Sequence, residues 1–376
     1  MRELKIFLVV VGFTSLVYWG VEPYAHSVMN PHVAPANFNF AEEDINFAKS
    51  VLSKKEQALK EATDSKDESR IKAAQKDLDT AKSNLAKEET LWGKVAKIDL
   101  SKGDVAKGKE FFANNCYGCH GLKADGLAPT ITDSSMGVIP PDLSAAGKIF
   151  DHKFLAALIL DPAVALKVDH KFPDGFIMTS YNEETSGDSE KLVDSNIADL
   201  IAYLSSVSDK YYAEFDKNTK KELVEKYSKN KDLDEKQKQA LIDKDFAFAK
   251  DKDVFIQACG RCHDMKYDGF ISPSNKEDLK KYLGSVPPDL SMMIRSRGEQ
   301  YLNDFLNNTQ KLLPGTAMPR VGLNEQAQKE VIAYMEKVGD SKKEIREQTG
   351  IYVMIFFVIL SIFAIAWKRQ IWSKLH

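Results

Sequence analysis

Apolar positions along the chain follow three rules in turn. Ile6 to Val21 is nearly all apolar behind Arg2 and Lys5, and Ile351 to Trp367 carries no charge and is followed by Lys368, Arg369 and Lys374. The second run is close to the lower limit of about 17 residues for a membrane span. Between these ends the rule becomes helical. Ile45, Ala48, Leu52, Leu59 and Ala62 recur at three-four spacing; after Thr63-Asp64-Ser65, so do Ile71, Ala74, Leu78, Ala81 and Leu85. This pattern predicts an antiparallel helical hairpin over residues 41–98, with a seam thin enough to need a supporting surface. Pro23, Pro31 and Pro35 before it predict an extended linker over 23–40.

The third rule is repetition. Gly103 to Phe112 and then Asp253 to Ile256 predict helices leading into Cys116 and Cys259. Pro-Pro-Asp-Leu-Ser follows at Pro140–Ser144 and Pro287–Ser291, then a methionine loop at Met178 and Met318. Each copy closes on a helical phrase, Ile201-Ala202-Tyr203-Leu204 and Ile332-Ala333-Tyr334-Met335. Repeated features in the same order predict two homologous helical domains, 99–207 and 245–340, with a charged helical linker over 208–244. The predicted fold is therefore mainly α, with the hairpin preceding two tandem domains and transmembrane helices at 1–22 and 349–370.

For the first apolar run the rival reading is a cleavable signal peptide. No A-x-A-like site follows, and Tyr18 and Trp19 sit where an aromatic belt would, which favours a retained signal-anchor. With basic residues outside both spans, the positive-inside rule puts both termini in the cytoplasm and the middle across the membrane, in the periplasm of a bacterium. Charged residues make up 28% of the 376, yet the net charge is only -3, so nothing in the charge points to nucleic-acid binding.

The four cysteines are all absorbed in two C-x-x-C-H motifs, Cys116-Tyr117-Gly118-Cys119-His120 and Cys259-Gly260-Arg261-Cys262-His263. This is the attachment motif of c-type haem: two thiols form thioethers with one haem edge, and the adjacent histidine ligates iron. A zinc site lacks a fourth ligand in the second copy, which has no other histidine or cysteine, and a thioredoxin-like redox pair lacks its βαβ surround. Two c-type haems are expected, with His120 and His263 as proximal ligands.

The sixth ligand separates electron transfer from catalysis. In the second copy Met265 is too near the proximal histidine and Met292 and Met293 follow directly on Pro-Pro-Asp-Leu, which leaves Met318 on its Gly-rich, proline-bounded loop. In the first copy Met178 is the equivalent, with Met136, His152 and His170 in competition; a histidine would lower the potential relative to His/Met ligation. Closed His/Met sites shuttle electrons and leave no catalytic residue to expect. The carbonyls of Pro140 and Pro287 are expected to orient the proximal histidines through their ring N–H. Phe111, Phe112, Phe154, Leu155 and Leu158, then Phe255, Tyr282, Tyr301, Leu302 and Phe305, are expected core. Arg295 and Arg297 are candidates for haem propionates.

With a Gly-Lys-x-x-Phe helix, C-x-x-C-H, Pro-Pro-Asp-Leu, a methionine loop and a closing Ile-Ala-Tyr-Leu helix, both domains resemble class I cytochromes c. The whole layout, from Val21-Glu22-Pro23-Tyr24-Ala25-His26 through tandem haem domains to a C-terminal anchor, resembles the dihaem cytochrome c subunit of the epsilonproteobacterial cytochrome bc complex. That resemblance implies cytochrome b and Rieske iron–sulfur subunits as partners. It implies electrons accepted from the Rieske protein and passed to a terminal oxidase or soluble cytochrome c, with quinol oxidised elsewhere, on cytochrome b. The class I pattern does not account for the hairpin. Two other readings stand beside this one: a dihaem subunit of a haem-copper oxidase, and a dihaem peroxidase, which needs one haem with a displaceable ligand.

Overall fold

The computed structural model describes residues 2–29, 33–172 and 175–375. Among these the chain is helical with no strand, its only β pairing being three isolated bridges. Helix α1 (Arg2–Leu16) passes through a π-turn at Val17–Val21 into α2 (Glu22–Met29). Residues 23–29 are thus helical and not extended. A proline inside a helix clashes with the carbonyl four residues back, and the wider π-turn ahead of Pro23 relieves that clash. Residues 30–32 of the expected linker lie outside the described residues. From Leu4 to Ala25 the helix is long and apolar enough to cross a membrane.

Helices α3 (Phe40–Asp64) and α4 (Glu68–Val95) form the antiparallel hairpin. Asn39 caps α3 and Asp67 caps α4, each accepting from free backbone N–H groups of the first turn. Along the seam Ile45, Leu52, Leu59, Ile71, Ala74 and Leu85 are only half-buried, as the narrow apolar stripe requires, while Ala62, Leu78 and Ala81 are buried between the two helices. The base is different: Phe40, Leu91, Trp92 and Val95 are buried against Phe154, Leu155, Leu160 and Ile197. The supporting surface is therefore the first motif-bearing unit. Phe154 and Leu155, expected as core, are core toward the hairpin.

That unit opens with α5 (Val105–Asn115), capped by Asp104 and leading into Cys116. Short helices α6 (Ala146–Ile149), α7 (His152–Leu160), α8 (Pro162–Ala165) and α9 (Glu183–Ser186) follow. The closing helix α10 runs from Glu190 to Ser228 without a break. After a six-residue turn, α11 (Glu235–Ala258) runs back and leads into Cys259. The segment 208–244 is helical, as expected, but its helices are the continuation of α10 and the start of α11. No glycine or proline interrupts it, and the two long helices pair through Tyr211 to Asp253 (2.8 Å) and Lys226 to Asp245 (2.8 Å).

The second unit continues with α12 (Lys276–Leu283), α13 (Met293–Arg297), α14 (Glu299–Asn307), α15 (Thr309–Leu312) and α16 (Glu325–Gly339). Helix α17 (Lys343–Leu375) is longer than the expected 349–370 and is long and apolar enough to cross a membrane. The two units share a core: Ala145, Ile149 and Tyr212 are buried with Phe255, Leu323 and Tyr334. A bridge between Phe150 and Leu323 and the bond Asp151 N to Gly322 O (3.0 Å) stitch them at the backbone.

Candidate functional site

Each C-x-x-C-H motif sits where a helix ends. Helix α5 terminates at Cys116, whose N–H donates to Phe112 O at 2.9 Å, and α11 terminates at Cys259, bonded to Phe255 O at 2.8 Å. The chain then tightens into one turn, with His120 N on Cys116 O (2.9 Å) and His263 N on Cys259 O (3.1 Å). This turn puts both cysteines of a motif beside the histidine. All four thiols are unpaired. Burial raises those of Cys116 and Cys259 to about 12, so both are held as neutral thiols.

The imidazoles are fixed by the proline pairs. His120 Nδ1 lies 3.0 Å from Pro141 O and His263 Nδ1 lies 2.8 Å from Pro288 O. The orienting carbonyl thus belongs to the second proline of each pair and not to Pro140 or Pro287. Asp142 and Asp289, one residue on, bind the N–H of Lys123 and Lys266, which turns the Pro141 and Pro288 carbonyls toward the rings. A carbonyl only accepts, so Nδ1 carries the proton and Nε2 presents its lone pair. Burial lowers the pKa of both histidines, opposed by the proline bonds, and so favours the neutral form that ligates metal. For His120 the charge of Arg261, from the other motif, pushes the same way; its Nη1 donates to Ile139 O at 3.3 Å.

The surrounding frame occurs twice. After each motif a bridge (Leu122 to Leu127, Met265 to Phe270) encloses a turn ending in a left-handed glycine, Gly126 or Gly269. Leu143 N bonds Gly121 O at 2.9 Å, and Leu290 N bonds Asp264 O at 3.0 Å. Tyr203 donates to Asp125 at 2.8 Å and Tyr334 to Asp268 at 2.7 Å. Each aspartate also pairs with a lysine of the incoming helix, Lys109 or Lys252. The phrase Lys-x-Asp-Gly at Lys123–Gly126 and Lys266–Gly269 is the sequence signal for this lock.

The methionines differ. Met318 is half-buried and packs on the cluster that contains Cys259, Phe255 and Met265. Met178 is half-buried in its loop, outside the apolar clusters of the described residues. Of its rivals, Met136 is 50% exposed, His170 is exposed, and His152 Nε2 lies 2.9 Å from Gly147 O. Arg295 and Arg297 are exposed, the latter lying over the Tyr301 ring. Tyr282 is half-buried and faces Phe172 across the unit boundary, at 4.9 Å between ring centres.

The family model for cytochrome c matches residues 105–208. This region is a cytochrome c domain of class I, a fold that carries covalently bound c-type haem and transfers electrons through it. No solved structure matches the chain. The residues present fit that cofactor: two unpaired thiols one turn apart and a neutral imidazole with Nε2 presented. Cys116 and Cys119 would hold the haem edge and His120 its iron. When bound, the haem supplies an iron that takes up and releases one electron. The protein's part is to keep that imidazole fixed and neutral through the change.

Proposed function

We propose that the chain carries two c-type haems and serves as the dihaem cytochrome c subunit of a quinol:cytochrome c oxidoreductase, the cytochrome bc complex. The observation that carries the second haem is the twice-built frame: motif turn, proline carbonyl, aspartate–tyrosine lock and closing helix recur around His263. The first site takes His120 and Met178 on iron, with Cys116 and Cys119 on the haem edge; the second takes His263 and Met318, with Cys259 and Cys262. Electrons arrive from the Rieske iron–sulfur subunit and leave for a terminal oxidase or a soluble cytochrome c. The subunit performs no chemistry of its own and sits beside cytochrome b. The two apolar end helices anchor it in the inner membrane, haem domains in the periplasm and both termini in the cytoplasm. Resemblance of the whole layout to the epsilonproteobacterial subunit supports the choice of complex.

Two measurements test this. Haem content by mass should show two covalent haems per chain, one lost in Cys116→Ala/Cys119→Ala and the other in Cys259→Ala/Cys262→Ala. One haem in the unaltered chain refutes the dihaem reading. Purification in mild detergent should bring b-type haem bands with the c-type bands and no copper. Copper with oxygen-reducing activity would place the chain in an oxidase instead.

A further inference from the structure

Four ionisable side chains meet where the hairpin and the two units touch. Arg320 and Asp44 have no exposed surface, and Lys167 and Glu88 are 7% and 9% exposed. Arg320 Nη1 and Nη2 donate to Asp44 Oδ1 (2.7 Å) and Oδ2 (2.8 Å). Its Nε and Nη2 also reach Ala165 O, at 3.2 and 2.9 Å. Lys167 Nζ pairs with Asp44 Oδ1 at 3.0 Å and with Glu88. Trp92 Nε1 donates to Asp44 Oδ2 at 2.9 Å. The guanidinium lies 5.1 Å from the Phe40 ring centre and 5.4 Å from that of Phe154. Burial opposes the charge on Asp44, but Arg320 and Lys167 outweigh it and hold the carboxyl below its usual value.

A buried ion cluster is weak evidence for stability, because desolvation consumes most of the Coulomb gain. Its well-attested use is to fix register, since any other arrangement strands a charge out of water. What is fixed here is the chain two residues beyond Met318. Arg320 N also bonds Leu166 O at 2.9 Å, and Met318 N bonds Thr316 Oγ1 at 3.2 Å. On the preceding side Gln310 Nε2, from α15, donates to Thr316 O at 2.9 Å, so the loop is held on both sides of the methionine, and the outer hold is anchored in the hairpin.

We propose that Arg320 is a positioning residue that presents Met318 to the second haem iron, with Asp44 of the hairpin as its anchor; this rests on the dihaem reading above. A thioether is neutral and has no charge to draw it to iron, so its retention depends on the loop that carries it. The hairpin, which the class I pattern leaves unexplained, thereby becomes part of the second haem site. Lysine at 320 keeps the charge balance but loses the planar fork that grips both Asp44 oxygens and Ala165 O.

The test uses the full-length holoprotein and three variants, Met318→Ala, Arg320→Lys and Asp44→Asn. The readouts are the methionine-to-iron charge-transfer band of the ferric protein, the potential of each haem and far-UV ellipticity. Met318→Ala should remove roughly half the band, one ligand of two. Arg320→Lys should keep ellipticity and the first haem's potential, while the band falls toward the Met318→Ala level and the second potential drops. Asp44→Asn, the milder change, should move the same readouts less. A full band in Met318→Ala overturns the ligand reading itself. Loss in Met318→Ala, with unchanged band and potentials in Arg320→Lys and Asp44→Asn, overturns only the positioning role. Collapse of ellipticity and of both haem signals together marks a purely structural cluster and also overturns it.

Discussion

Replacing Gly108 by alanine tests whether the crossing of α5 and α10 sets the position of the first motif. Gly108 is buried where α5 lies against α10. A methyl group there would lie 2.5 Å from the carbonyl carbon of Asp199 and 2.8 Å from Tyr203 Cβ. Unstrained carbon contacts need about 3.5–4.0 Å. The obstacle is backbone and cannot rotate aside, so the helices must part by about 1 Å. A gap of that size forfeits a quarter to a half of the dispersion well for atoms facing across it. Those atoms belong to Phe112, Leu200, Tyr203 and Leu204, all buried. Overpacking of this kind costs about 3 kcal/mol at the upper end of its ordinary range. Alanine returns about 1 kcal/mol of helix propensity. The net expectation is a loss of about 2 kcal/mol. Gly93 in α4 is the control, since a methyl there meets nothing within 4 Å. Gly93→Ala should gain about 1 kcal/mol from propensity alone. Denaturant unfolding followed by far-UV ellipticity reads both. The reasoning fails if Gly108→Ala is as stable as the parent, or if both substitutions shift stability the same way.

Two further expectations concern the aspartate–tyrosine locks. Tyr334→Phe removes the hydroxyl that donates to Asp268 and should cost about 1.5–3 kcal/mol, the range for a bond to a charged group, in the same unfolding assay; no loss would refute the lock. Asp125 is held at about 2 by bonds from Lys109 and Tyr203, so its folded value lies below the ordinary 3.8. Its contribution, about 1–2 kcal/mol after solvent screening, is present above pH 3.8 and is lost as pH falls through about 2. Stability against pH should therefore fall less steeply over that window in Asp125→Asn than in the parent, and parallel curves would refute it.

Much of the architecture is legible in the sequence because it is local. Three-four spacing from Ile45 to Leu85 specifies the hairpin, and its thin seam already demands a partner. The partner is not legible. It rests on Phe40, Trp92 and Phe154, single aromatics in three separate stretches, and on the pairing of Asp44 with Arg320, 276 residues apart. The Pro-Pro-Asp-Leu phrase locates the carbonyl behind each histidine to within one residue. Choosing Pro141 over Pro140 requires knowing that Asp142 turns back onto Lys123 N. The charged, helix-prone run 208–244 reads as a helical linker, and what the sequence leaves open is that its first helix is one with the closing helix, which no breaker before Lys229 interrupts. Helix continuity follows from backbone compatibility, and polarity only sets which face is wet.

The two motif-bearing units are held at three separate places. Segment 133–139 of the first lies on the second: Ser134 donates to Asp278 at 2.9 Å and accepts from Asn275 N at 3.0 Å, and Arg261 reaches Ile139 O. A methyl on Gly137 would overlap the Tyr282 ring, so the approach there is as close as backbone allows. On another side Phe150 pairs with Leu323 and Asn324 with Ile149. The buried Asp44–Arg320 cluster, through the hairpin, is the third. These separate contacts restrain the two units against each other, and the paired helices α10 and α11 join them without a flexible linker. Tunnelling between two redox centres falls steeply with their separation. On the dihaem proposal a hinged pair would pass electrons only in its closest poses, whereas this pair keeps one separation. On that proposal the buried charges and the interface would serve a constant rate of transfer, a purpose to which net stability contributes little.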